Sequence, residues 1–81
     1  MIFIKILGTG CKKCNTLEAK VREIIEKESI EAIIEKVTDI SEIMNYGIMM
    51  TPALVINEQV KCYGIIPKDE MILNWLKENQ K

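Results

Sequence analysis

At 81 residues, with 48% hydrophobic and 28% charged side chains, the chain has the size of one domain and an ordinary globular balance. A formal net charge of −1 argues against a nucleic-acid-binding protein. No apolar run approaches the roughly 20 residues of a membrane-spanning helix. Residues 1–81 are therefore expected to form a single domain, with no linker or composition shift to divide them.

The apolar start has no basic leader and carries Lys5 in its middle, so it does not read as a signal peptide. Thr9-Gly10-Cys11 has the ending of a lipoprotein cleavage site, but Gly8 stands where a large aliphatic residue belongs. These features point to a cytoplasmic protein. In a reducing compartment, closely spaced cysteines are more often redox-active or metal-binding than structural.

In chain order, Ile2-Phe3-Ile4-Lys5-Ile6-Leu7 is nearly all apolar and predicts a strand buried on both faces. Gly8-Thr9-Gly10 turns the chain into a helix from Cys11 to about Lys27. Its apolar positions, Cys14, Leu17, Val21, Ile24 and Ile25, follow a helical stripe. Residues 32–37 predict a second strand. Asp39 offers a helix cap, with Glu42 completing a capping box over Ile40, Ile43 and Met44, and Gly47 stops that helix. Residues 53–56 and 59–63 read as strands joined by an Asn57-Glu58 turn. Pro67 suits the first position of a last helix, with Asp69 and Glu70 in its first turn and Met71, Ile72, Trp75 and Leu76 on its buried stripe. The order β-α-β-α-β-β-α implies an α/β three-layer sandwich around a four-stranded mixed sheet. Tyr46 and Trp75 read as packing residues, and Cys62 as a small residue of the core or an edge strand.

Cys11-Lys12-Lys13-Cys14 carries the chemistry. A C-x-x-C at a strand-to-helix turn puts its first sulfur at a helix N-terminus, where unpaired N–H groups and the helix dipole favour the thiolate. Residues 1–20 hold Lys5, Lys12, Lys13 and Lys20 against Glu18 alone, so this end of the chain is basic. Lys12 and Lys13, between the sulfurs, would lower the thiol pKa further, whereas Lys20 reads as a solvated surface residue. Cys14 lies on the core-facing stripe and Cys11 nearer solvent, so the two cysteines are unequal. The rival reading is half of a metal or metalloid site. Zinc takes four ligands, however, and the chain has no histidine and only Cys62 as a further cysteine. Neither a metal nor a cofactor is therefore expected. Gly8-Thr9-Gly10 begins like a dinucleotide fingerprint, but Lys13 occupies its third glycine position.

On these motifs, together with Thr51-Pro52 ahead of the third strand, the chain resembles the thioredoxin-like fold family over nearly its whole length. It is most similar to the small redox-active disulfide proteins of archaea and bacteria that share a Gly-Thr-Gly-Cys-x-x-Cys opening. The resemblance implies a protein-disulfide oxidoreductase with Cys11 as nucleophile and Cys14 as resolving thiol. It further implies a cis bond before Pro52, facing the sulfurs, and a docking loop of Met50, Thr51 and Pro52 where a partner segment adds as a strand. The expected partners are disulfide proteins and a reductase, acting on a monomer, with no nucleic acid or membrane. Two departures stand out. Gly10 and Lys12-Lys13 replace the Trp and Gly-Pro of thioredoxins proper, and Gly64 stands alone where glutaredoxins have a Gly-Gly pair for glutathione. The alternatives to an oxidoreductase are a metal-binding module using the same thiolates, or an adaptor of this fold.

Overall fold

The computed structural model describes residues 1–10 and 12–79. Cys11, the expected nucleophile, lies outside the described residues. The elements are β1 (Ile2–Leu7), α1 (Lys12–Lys27), β2 (Ala32–Val37), α2 (Ile40–Asn45), β3 (Ala53–Ile56), β4 (Gln59–Tyr63) and α3 (Asp69–Glu78). They form a four-stranded sheet in the order β2-β1-β3-β4. β1 runs parallel to β2, with Ile2 opposite Ala32 and Leu7 opposite Val37. β3 pairs antiparallel with β1, and β4 antiparallel with β3. The expected three-layer sandwich is therefore present, with β1 and β3 as its central strands.

Strand alternation sorts the core into two layers. Ile2, Ile4 and Ile6 of β1 and Leu54 and Ile56 of β3 face Leu17, Val21 and Ile24 of α1 and Ile72 and Leu76 of α3. On the opposite face, Leu7, Val37, Ala53 and Val55 pack with Ile43 of α2 and with Ile48. The second layer is the smaller because α2 has only six residues. This corrects one expectation, since β1 is not buried on both faces throughout. Phe3 is 55% exposed because α2 is too short to reach that end of the sheet.

The β3–β4 hairpin turns through Asn57 and Glu58, both with left-handed φ (49° and 68°), as a two-residue turn with the twist of its strands requires. Asn57 also locks the turn to β1. Its amide N–H donates to the Phe3 carbonyl at 2.8 Å, and its Oδ1 accepts from the Phe3 N–H at 2.9 Å.

Asp39 caps α2 by accepting from the Ser41 N–H at 2.8 Å. The expected capping box is incomplete: among the described residues, no bond runs back from Glu42. Pro67 is not the first residue of α3, because Lys68 is the N-cap and the helix begins at Asp69. Met71 is exposed rather than buried, leaving Ile72 and Leu76 as the fully buried residues of α3. Lys20 is more than a solvated surface residue. Its Nζ donates to the Pro67 carbonyl at 2.9 Å and pairs with Asp69 at 3.1 Å, tying α1 to the start of α3. Among the described residues, no helix is long and apolar enough to cross a membrane.

Candidate active site

β1 keeps pairing one residue past its end, where the Gly8 N–H donates to the Val37 carbonyl at 2.9 Å. Thr9 and Gly10 are exposed, and Gly10 takes the φ of +89° that turns the chain toward α1. The first turn of α1 then holds Lys12 and Lys13, both exposed, and Cys14, which is 2% exposed. No acidic residue lies in that turn, so the positive end of the helix dipole is reinforced by lysines rather than neutralised. Cys14 heads the buried stripe Cys14, Leu17, Val21 and Ile24, as the periodicity predicts.

Gly8 holds the site together sterically. A Cβ there would collide with Cys14 Sγ, and would lie 3.1 Å from Cys14 Cβ and 3.8 Å from Thr51 Cβ. The end of β1, the first turn of α1 and the loop before β3 therefore meet around one missing side chain. The sequence pattern assigns these glycines to the turn alone. Gly8 has a packing role that only the tertiary structure reveals.

The third wall is the loop before β3. The Thr51–Pro52 peptide bond is cis, as the resemblance implies. Pro52 is fully buried, and its carbonyl accepts from the Gly64 N–H at 2.8 Å, which binds the loop to the end of β4. Met50 is exposed and lies over Gly64. A Cβ on that glycine would come 3.2 Å from both Met50 Cβ and Cε, and its φ of +75° is one that other residues adopt poorly.

Beside this junction runs an apolar groove of about 330 Å³, lined by Thr9, Thr51, Ile40, Ile43, Met44, Ile48 and Met49. Its walls are the β1–α1 turn, α2 and the loop leading to Pro52. Met49 projects almost fully into solvent at 95% exposure, and Met44 and Ile40 are also largely exposed. The docking loop that the resemblance implies includes Met50, and the neighbouring Met49 lines the groove. The sequence pattern assigns Ile40 and Met44 only to a helix face. Their i, i+4 spacing with Ile43 between them was the available signal, because a six-residue helix cannot bury all three.

Cys62 lies half-buried on β4, opposite Leu54 and against the α1 side of the core. Burial pushes its thiol pKa up, opposed by a backbone hydrogen bond with Leu54, so its environment does not favour a thiolate. Tyr46, read from sequence as a packing residue, makes two side-chain hydrogen bonds described below.

A β-α-β-α-β-β-α sandwich with a cis-proline loop beside the cysteine in the first turn of its first helix has the architecture of the thioredoxin-like class. A family model described as "Thioredoxin domain" matches residues 2–77. The thioredoxin of Methanocaldococcus jannaschii is 39% identical over 77 residues, covering 95% of this chain and 88% of that protein. The thioredoxin of Methanothermobacter thermautotrophicus is 33% identical over 72 residues, covering 89% and 94% respectively. Among solved structures, the germline-specific thioredoxin Deadhead of Drosophila melanogaster superposes with a TM-score of 0.66. It shares 16% identity and covers 95% of this chain and 79% of its own, a likeness of fold. The chain belongs to the thioredoxin family, and it is a small thiol–disulfide oxidoreductase.

Proposed function

We propose that this protein reduces disulfides of partner proteins through Cys11 and Cys14, in two exchange steps. The Cys11 thiolate attacks one sulfur of the partner's disulfide. A mixed disulfide forms, and the partner's other sulfur leaves as a thiolate. Cys14 then gives up its proton and attacks Cys11 Sγ. The Cys11–Cys14 disulfide forms, and the second partner sulfur is released. The partner gains two electrons as the cysteine pair is oxidised by the same two; one proton comes from Cys14 and the other from water, which protonates the second partner thiolate. A reductase restores the dithiol.

The observation that carries this reading is the depth of Cys14 against Gly8, next to the Thr51-Pro52 loop. A thiol shielded from solvent at that junction suits a resolving role, since an external disulfide reaches it less readily than it reaches a residue at the helix start. The exposed Lys12 and Lys13 and the N-terminus of the 16-residue α1 would stabilise a thiolate at Cys11. Thr51, Pro52 and Met50 form the docking side. There the partner's chain lies extended along the loop backbone, with its flanking apolar side chain in the groove beside α2.

The test is trapping. Cys14→Ser should accumulate a mixed disulfide with a disulfide protein such as insulin, releasable by dithiothreitol, and should turn over slowly or not at all. Cys11→Ser should trap nothing and have no activity. Trapping by Cys11→Ser and not by Cys14→Ser would reverse the two roles. Retained insulin reduction in both variants would overturn the proposal.

A further inference from the structure

The wall of the groove formed by α2 is weakly held by its own residues. The helix spans six residues, too few for a stable isolated helix, and Ile43 is its one buried side chain. Ile40 and Met44 are spent on lining the groove. The helix must therefore be fixed from its ends. Asp39 caps one end, and Tyr46 is the C-cap residue at the other.

The Tyr46 side chain reaches back over the sheet to a polar triangle. Its hydroxyl accepts from Lys5 Nζ at 2.8 Å and donates to Glu58 Oε2 at 3.2 Å. Lys5 Nζ closes the triangle by pairing with Glu58 Oε1 at 2.9 Å, and it stands 5.6 Å from the centroid of the Tyr46 ring. The three corners come from different elements. Lys5 is in the middle of β1, whose end supplies Gly8. Tyr46 ends α2 and begins the stretch that runs through Met49 and Thr51 to Pro52. Glu58 is in the β3–β4 turn, at the far end of the strand that Pro52 introduces. The triangle thus ties together the strand behind the cysteine turn, the helix that walls the groove and the hairpin that follows the docking loop.

We propose that Tyr46 is a positioning residue for the exchange of protein disulfides: through Lys5 and Glu58 its hydroxyl sets the distance between the α2 wall and the Thr51-Pro52 loop, and so the fit of the partner's chain in the groove. Among the described residues its hydroxyl is the one group that bonds to both charged partners, so removing that oxygen takes away the polar tie from the end of α2 to β1 and to the hairpin at once, and leaves the core packing of Ile43 in place. A small disulfide that reacts at the sulfurs without entering the groove does not sense this distance, whereas a protein disulfide does. The inference rests on the oxidoreductase reading above and on the groove as its docking side.

The experiment compares Tyr46→Phe, which keeps the ring and removes the hydroxyl, with the wild-type protein on two substrates, insulin and the small aromatic disulfide 5,5′-dithiobis(2-nitrobenzoate). Losing one such hydroxyl should raise the KM for insulin by about three- to tenfold, with kcat and the rate on the small disulfide changed less than about twofold. Glu58→Gln retains an amide oxygen that can accept one bond of the triangle, and should give an intermediate KM. It also carries the test if Tyr46→Phe does not fold. Equal loss on both substrates, or an unchanged KM for insulin in a variant whose melting temperature falls, would overturn the assignment and leave Tyr46 a purely structural residue. If Cys11→Ser and Cys14→Ser both still reduce insulin, the two-cysteine exchange proposed above has failed instead, and the two failures are distinct.

Discussion

Gly8 and Cys14 share a space with no room for one more methyl group, for a Cβ on Gly8 would run into Cys14 Sγ. Both residues are buried, and Cys14 is pinned by the stripe it heads on α1, so neither side can yield cheaply. Gly8→Ala should therefore push the end of β1 and the start of α1 apart. The expected cost is about 1–3 kcal/mol of stability, as for other overpacked core sites. Cys14 would be displaced from its place against Gly8, and reduction of insulin should slow more than binding weakens. Urea denaturation and steady-state kinetics check the two parts, and an unchanged midpoint would show that the junction is looser than its geometry implies.

The Lys5–Tyr46–Glu58 triangle makes stability depend on pH in a definite direction. The hydrogen bond from Lys5 holds the Glu58 carboxyl below its ordinary value of 4.5, against a smaller opposing effect of burial. A carboxyl with a lowered folded-state pKa stabilises the fold above its unfolded value, and that contribution is lost as pH falls through the folded one. Lys5 is shifted the other way, first by its bond to Tyr46 and then by Glu58. Its contribution is complete below its ordinary 10.5 and disappears only in stronger alkali. Glu18 would blur the acid side. Burial pushes it up, but its bonds to Arg22 and Lys36 outweigh that and leave it lowered too. The informative quantity is thus the difference between wild type and Glu58→Gln. It should be constant from pH 7 down to the ordinary carboxylate range and shrink below it. A difference independent of pH down to full acid unfolding would mean that the ion pair adds nothing.

How much of this was legible in the sequence depends on the range of the interaction. The bounds of β1, β2, β3 and β4 match their apolar runs because strand-forming segments are defined by neighbouring residues and their turns. The depth of Cys14 was legible for the same reason, through its spacing to Leu17 and Val21 on one helix face. The cis bond at Pro52 was accessible only through family resemblance. Contacts that join distant segments were not legible. Tyr46 lies 41 residues from Lys5 in the chain, and no local pattern distinguishes it from a packing tyrosine. The exposure of Phe3 was equally hidden, since it depends on how far the helix over the opposite face extends.

The lysine pair should tune the nucleophile. Lys12 and Lys13 are exposed on the first turn of α1, with no acid there to offset them. Lys12→Ala combined with Lys13→Ala should raise the Cys11 pKa toward the free value of about 8.5. It should also make the couple more reducing, because the reduced thiolate loses favourable charge. Exposed charges are screened over about 10 Å at 0.1 M salt, so the shift should be largest at low ionic strength and fade as salt is added. Thiolate absorbance against pH at two salt concentrations measures it. An unchanged pKa at low salt would assign the whole effect to the helix N-terminus.

The three cysteines should differ in reactivity in a fixed order. Cys14 is 2% exposed beneath Gly8. Cys62 is half-buried on β4, and its thiol pKa is raised by that burial, so little of it is thiolate at neutral pH. Alkylation needs both access and the thiolate, and Cys14 and Cys62 each lack at least one of these. Cys11, which directly precedes Lys12 and Lys13 in the sequence, is proposed to have both. Limiting iodoacetamide on the reduced protein at pH 7 should therefore label Cys11 first, with Cys62 slower, and with Cys14 labelled appreciably only after denaturation. Peptide mapping by mass spectrometry reads the order directly. First labelling at Cys14 would exchange the attacking and resolving roles. First labelling at Cys62 would show that β4 opens at the sheet edge and that a third thiol competes for oxidants.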